Sequence, residues 1–264
     1  MDNAASETSI IALDRWLQTP AGAYVRAWEQ ARLDALTADI FGFNAVQIGV
    51  PQIDALAASR MPNKWQAATG LSSAEALIRT PGSRQIAVAL DFEELPFASQ
   101  SLDLVVLPHV LEFAAEPHQV LREVERVLIP EGQLIICGFN PASMWGARQG
   151  MARLGRSDFL PAAGEFISMP RLKDWLKLLN LGATRSYFGC YAPPCRTSAW
   201  LNRFSMLETG GERWWPYLGA VYMVHAIKRV KGMRIIGPAW NKRSQKAPQA
   251  VPATNREQRS LHEE

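Results

Sequence analysis

Between Ala89 and Phe139 apolar runs and an amphipathic stretch follow one another so as to leave little architectural freedom. An acidic turn closes on Leu95-Pro96-Phe97. A polar turn then leads into Leu102 and the run Leu104-Val105-Val106-Leu107. That run is apolar on both faces, as a strand covered by helices on both sides must be, and it is too short before Pro108 for a buried helix. Pro117 suits a first helical turn, where its missing N–H would have no partner anyway. Val120, Leu121, Val124, Val127 and Leu128 make one apolar stripe, with Arg122, Glu123, Glu125 and Arg126 outside it. Pro130-Glu131-Gly132 is expected to turn the chain into a second strand, Leu134 to Cys137. Strand, crossover helix and strand imply a right-handed parallel unit.

The order and spacing of Leu95-Pro96-Phe97, Asp103-Leu104-Val105, His109-Val110-Leu111, Leu121-Arg122-Glu123 and Pro130-Glu131-Gly132 resemble the second half of a class I S-adenosylmethionine-dependent methyltransferase. The likeness is to the large subgroup acting mostly on small molecules and lipids. It covers residues 40 to 230, strongly in the middle and weakly at both ends. It implies an α/β, doubly wound, Rossmann-like fold with a seven-stranded mixed sheet, and a methyl transfer with S-adenosylmethionine as cofactor. It also implies three segments: an N-terminal helical segment over 1–40, the methyltransferase-like domain over 41–237, and a disordered basic and polar tail over 238–264.

Composition narrows the alternatives. With 264 residues, 48% hydrophobic and 20% charged, the chain suits one large α/β domain. A net charge of +3 does not demand a nucleic-acid partner, although Lys228 to Lys246 carries seven cations and no acid. That tail is read as a solvated end or as a contact for RNA or anionic lipid. Three cysteines form no paired framework and suggest free thiols in a reducing compartment. None of the four histidines has zinc-site spacing, so no metal is expected. The N-terminus lacks a basic region and an apolar core, and no apolar run is long enough to span a bilayer; the cytoplasm is the expected location.

Residues 10 to 41 read as helix, broken near Thr19-Pro20. Tyr24, Trp28, Ala31, Ala35 and Ala38 set the stripe, Leu33, Leu36 and Ile40 widen it, and Arg26, Glu29, Arg32 and Asp34 face away. The helix either pads the sheet or caps the cofactor site. Ala45 to Gly49 is the first strand. The resembled family continues there with G-x-G-x-G, whose glycines let the backbone approach the cofactor and open a helix at it. This chain has Gly49-Val50-Pro51-Gln52-Ile53, with Gln47 where an acid is usual. Lys64 to Ala68 is the second strand and ends at Thr69 without the acid that would hold ribose hydroxyls. A short helix is expected over 73–79. The third strand, Gln85 to Leu90, ends at Asp91, which by resemblance accepts from the adenine amino group with Phe92 beside the ring, or else caps a turn.

The fourth strand ends at Leu107-Pro108-His109, where open parallel sheets place ligands. His109 is read as a wall of the site or as a general base. By resemblance Gly49, Pro51, Thr69, Asp91, Phe92, Leu107 and His109 surround the cofactor; no catalytic residue is singled out. Gly138 to Met169, with Trp145, Arg148, Arg153 and Arg156, is a lid or a solvated helical hairpin over 143–154. A helix from Pro170 stopped by Gly182, a strand over 183–188, a helix over 199–207 and a last strand over 219–227 complete the chain, with Trp214-Trp215-Pro216 packed under the final hairpin. G-x-G-x-x-G is absent after the first strand, which argues against a nicotinamide oxidoreductase. Two readings stand: a methyltransferase for a small molecule of unspecified class, and a relative that kept the fold, lost the cofactor and serves as a binding module.

Overall fold

The computed structural model describes residues 12–68, 87–89, 92–152, 159–160, 164–195, 197–204 and 206–230. After a short helical stretch over 12–17, Thr19 stops the chain and caps α1 (Pro20–Thr37), its hydroxyl accepting the Gly22 N–H at 3.2 Å, with Pro20 in the first turn. The expected break at Thr19-Pro20 is therefore a true helix start. The strands are β1 (Asn44–Ile48), β2 (Asn63–Ala68), β3 (Ala87–Ala89), β4 (Leu102–Pro108), β5 (Leu128–Phe139), β6 (Leu181–Gly189) and β7 (Val221–Lys228). Among the described residues they form one seven-stranded sheet in the order β3-β2-β1-β4-β5-β7-β6. β7 runs antiparallel to both its neighbours, and the other pairings are parallel. This is the expected mixed, doubly wound sheet. Its direction of winding changes between β1 and β4.

β4 buries Leu104, Val105, Val106 and Leu107 completely, as a strand covered on both faces must. α2 (Pro117–Val127) buries Val120, Leu121, Val124 and Val127, the stripe read from its sequence. Its polar side ties down the Leu95-Pro96-Phe97 turn. Arg126 donates to the carbonyls of Leu95 and Phe97 at 2.9 and 3.0 Å, and Glu123 accepts the Leu95 N–H at 3.1 Å. The Arg126 guanidinium holds the Glu123 carboxyl below the usual carboxylate range.

Several local expectations are corrected. Pro130-Glu131-Gly132 is not a turn before β5 but part of it. Leu128 already pairs with Leu102, and the next pair is Gln133 with Leu104, so the intervening residues bulge, with Glu131 at φ 64°. The stop after α4 (Met169–Leu178) is Asn180 at φ 56°, not Gly182, which lies inside β6. The helix expected over 199–207 is two, α5 (Ser198–Arg203) and α6 (Met206–Trp214). Trp214 and Trp215 are 72% and 59% exposed and do not pack under the hairpin. Their chain position before β7 suggests burial, but both side chains lie at the surface.

The connection from β1 to β2 contains turns and no helix. Val50, Ile53, Ala55, Leu56 and Met61 are nevertheless buried in it. α3 (Met144–Ala152) fills part of the segment read as lid or hairpin, and its Trp145 is fully buried. The 73–79 helix, Arg153, Arg156 and the tail beyond Val230 lie outside the described residues. No helix among the described residues is long and apolar enough to cross a membrane.

Candidate functional site

β1 and β4 are adjacent and parallel, and the chain winds away from them in opposite directions. The crevice outside their carboxyl ends is where such sheets receive ligands. Gly49 closes β1 at φ +101°, a conformation that favours glycine. A Cβ there would sit 2.6 Å from Val110 Cγ2 and 3.3 Å from the Pro108 carbonyl oxygen. Gly49→Ala is therefore expected to cost about 1–3 kcal/mol through backbone strain and the clash with Val110, read as a lower melting temperature.

Gln47 explains how the altered turn holds together. Its Nε2 donates to the carbonyls of Val50 and Ile53 at 2.9 and 2.5 Å, and its Oε1 accepts the Ala55 N–H at 2.8 Å. A carboxylate could accept but not donate there. Both amide N–H groups are spent stapling the loop, and the side chain brings no charge to the strand end. The connection after β1 forms no helix, so it offers no helix N-terminus to an anion.

His109 follows β4 at φ 54°, a strained setting for a side chain of its size, and is fully buried. Its Nδ1 lies 2.9 Å from Glu112 Oε2 and its Nε2 lies 2.8 Å from Glu29 Oε1. The Phe139 ring stacks beside the imidazole with centroids 4.4 Å apart. Burial pushes the imidazole toward its neutral form. The two carboxylates oppose this and prevail, lifting its pKa to about 10. Both ring nitrogens of His109 are thus taken up by buried carboxyls, which fixes the ring in place at the end of β4.

Burial pushes the Glu112 carboxyl up, against His109 and the Phe139 N–H, which Glu112 Oε1 accepts. Burial likewise pushes up the thiols of Cys137 and Cys190, which suits free but unreactive cysteines. The remaining oxygen of the set, Glu29 Oε2, is buried without a hydrogen-bond partner.

Glu29 corrects the sequence reading most sharply. It was placed on the outer face of α1 but lies on the inner one, with Ala21, Val25, Leu33 and Leu36, while Ala31 and Ala35 are exposed. The reading went by residue type; the i, i+4 row Ala21, Val25, Glu29, Leu33 was the available signal. α1 caps the carboxyl ends of the strands and does not merely pad the sheet. Trp28 packs on Gly189 at the end of β6, where a Cβ would come within 2.0 Å of Trp28 Cε2. Tyr24 O–H donates to Glu208 of α6, which also accepts the N–H groups of Cys190 and Tyr191.

Gly49 and His109 follow the ends of the adjacent parallel strands β1 and β4. Pro51 is half-buried in the loop, its carbonyl receiving a 3.4 Å bond from Gln66, and Phe92 and Leu107 are buried. Thr69 and Asp91 lie outside the described residues.

Residues 56–136 match the family model described as a methyltransferase domain. The chain has the class I methyltransferase fold. It superimposes on an S-adenosylmethionine-dependent methyltransferase of Thermotoga maritima with a TM-score of 0.57 and 17% identity, covering 78% of this chain and 92% of that one. The uncharacterized protein YafS of Escherichia coli K12 is 28% identical over 264 residues, covering 96% of this chain and 97% of YafS. A malonyl-[acyl-carrier protein] O-methyltransferase of Laribacter hongkongensis is 28% identical over 145 residues, covering 54% of this chain and 48% of that protein. The matched segment begins in the packed loop after β1 and ends in β5, so it leaves out Gly49, α1 and Glu29.

Proposed function

We propose that the chain is a methyltransferase that uses S-adenosylmethionine and acts on a small-molecule acceptor. The observation that carries this reading is the strand order of the sheet, with its switch point between β1 and β4, where Gly49 and His109 follow the two strand ends. S-adenosylmethionine carries its methyl on a sulfonium and needs a cover that keeps water from it. When bound, the group supplies a methyl already activated for transfer. The chain then has to align it with the acceptor and keep water out. α1, seated through Trp28, Tyr24 and Glu29, provides the cover, and Gly49 lets Val110 pack closely on the end of β1. The loss of the glycine-rich turn and the burial of Val50 and Ile53 favour a second reading, a fold that binds no cofactor.

Calorimetric titration with S-adenosylmethionine and S-adenosylhomocysteine separates the two. Micromolar binding of the cofactor and its product is the expected result. Absence of heat and of any thermal shift at millimolar concentrations of both ligands overturns the first reading in favour of the second.

A further inference from the structure

We propose that the segment formed by α5, α6 and the turn before β7 is a docking surface for an anionic lipid membrane. Half of the large apolar side chains exposed among the described residues fall in it: Trp200, Met206, Trp214, Trp215, Tyr217 and Leu218. Exposed apolar side chains scattered singly are ordinary, whereas a group of them in one short segment marks a contact surface. The segment is built to hold them out. On the inner side of α6, Leu207 packs on the core, Glu208 accepts the N–H groups of Cys190 and Tyr191, and a Cβ on Gly211 would lie 2.3 Å from Tyr191 Cγ. Met206, Gly210 and Trp214 follow one another at i, i+4 and i+8 on the outer side, where a Cβ on Gly210 would meet nothing within 4 Å. Tyr191 O–H donates to the Pro216 carbonyl at 3.0 Å, and Phe188 meets Tyr217 edge-on at 5.5 Å between centroids. The turn is thus pinned from the protein side, while every residue from 212 to 218 is exposed.

Residue type and charge choose the occupant. Trp and Tyr join an apolar ring to one polar N–H or O–H, the pattern that settles at the boundary between lipid headgroups and acyl chains. Arg203, whose guanidinium lies 5.8 Å from the centroid of Trp200, and Arg213 are exposed among them. The two acids of the segment are engaged by the rest of the protein: Glu208 as above, and Glu212 with Arg32 of α1 at 3.4 Å. The outward charge is therefore positive, and negative headgroups answer it. A second copy docked about a two-fold axis would bring the same arginines against themselves. Gly189 and Phe139 both pair with Val221, and Cys137 pairs with Pro108, so the segment leaves the sheet at the end where β4 stops. α5 also packs on α1. The surface thus lies at the end of the sheet that carries the candidate site, beside the helix that covers it. It goes beyond the proposed activity and stands or falls without it.

The test is co-sedimentation of the full chain with phosphatidylcholine vesicles, with and without phosphatidylglycerol. The wild type should bind the mixed vesicles, and less so at high salt. Trp214→Ser combined with Trp215→Ser should weaken that binding about 10- to 100-fold, the range for withdrawing apolar side chains from an apolar phase. Arg203→Gln combined with Arg213→Gln should weaken it about 5-fold per arginine. All of these side chains are exposed, so both variants should melt with the wild type. If the tryptophan pair melts early, the arginine pair decides.

Equal binding to phosphatidylcholine alone, no binding to either vesicle, or binding undiminished in a correctly folded variant overturns the proposal. The last result would place the contact elsewhere, as on the basic stretch that follows β7 in the sequence. Analytical ultracentrifugation without lipid tests the rival occupant. A wild type that dimerises, with a tryptophan variant that does not, assigns the surface to a second copy of the chain and overturns the lipid assignment.

Discussion

Replacing His109 with alanine is expected to cost about 3–5 kcal/mol, because it leaves the carboxylates of Glu29 and Glu112 buried without their cation. At about 2–4 °C per kcal/mol for a chain of this size, the melting temperature should fall by on the order of 10 °C. Adding Glu29→Gln and Glu112→Gln to His109→Ala should recover part of the loss, since the residual penalty is then a cavity and not two unpaired charges. A similar loss in the single and triple variants would show that packing on Phe139, and not charge, is what His109 provides. The pH dependence follows from the same geometry. The folded-state pKa of His109 is raised to about 10 from 6.5, so its contribution is fully present below the unfolded value and is lost as pH rises through 10. The gap in melting temperature between wild type and His109→Ala should therefore be wide near neutral pH and narrow toward pH 10. A gap that stays constant across that window would exclude a charged His109.

Trp145→Ala is expected to cost about 3–5 kcal/mol, the range for deleting a large buried aromatic side chain. Trp145 stands at the start of α3, fully buried, and meets Phe159 edge-on at 5.1 Å between centroids and Trp16 at 6.3 Å. Its indole N–H donates to the Ala192 carbonyl at 2.7 Å, fastening the loop after β6. One side chain thus joins the stretch before α1, the segment after β5 and the chain after β6. Trp145→Phe keeps much of the packing but leaves the Ala192 carbonyl without its donor, a loss of about 1–3 kcal/mol. Equilibrium denaturation of the two variants should rank them in that order. Equal stability of wild type and Trp145→Ala would mean that this segment does not unfold together with the sheet.

The hydrophobic pattern of the chain was enough for β1, β2, β4, α2 and the order in which they occur. Val120, Leu121, Val124 and Val127 repeat at helical spacing, and Leu104 to Leu107 is too apolar and short for anything but a covered strand. Local chemistry likewise marked a break in the helix near Thr19-Pro20, where the fold starts α1. Of the candidate site, the positions of His109 and Gly49 after β4 and β1 were legible, the first from its strand and the second from the resembled turn. Glu29 was not. Its partner lies 80 residues away, and a carboxylate read without its partner is assigned to water. The same limit explains the bulge at Glu131, set by pairing of Leu128 with Leu102. The sequence alone determined the periodic elements and their capping, because propensity and side-chain spacing act over a few residues. Only the tertiary structure decided which charges are buried, since that depends on a counter-charge brought close by the fold, in this case by laying α1 across the ends of β4 and β6.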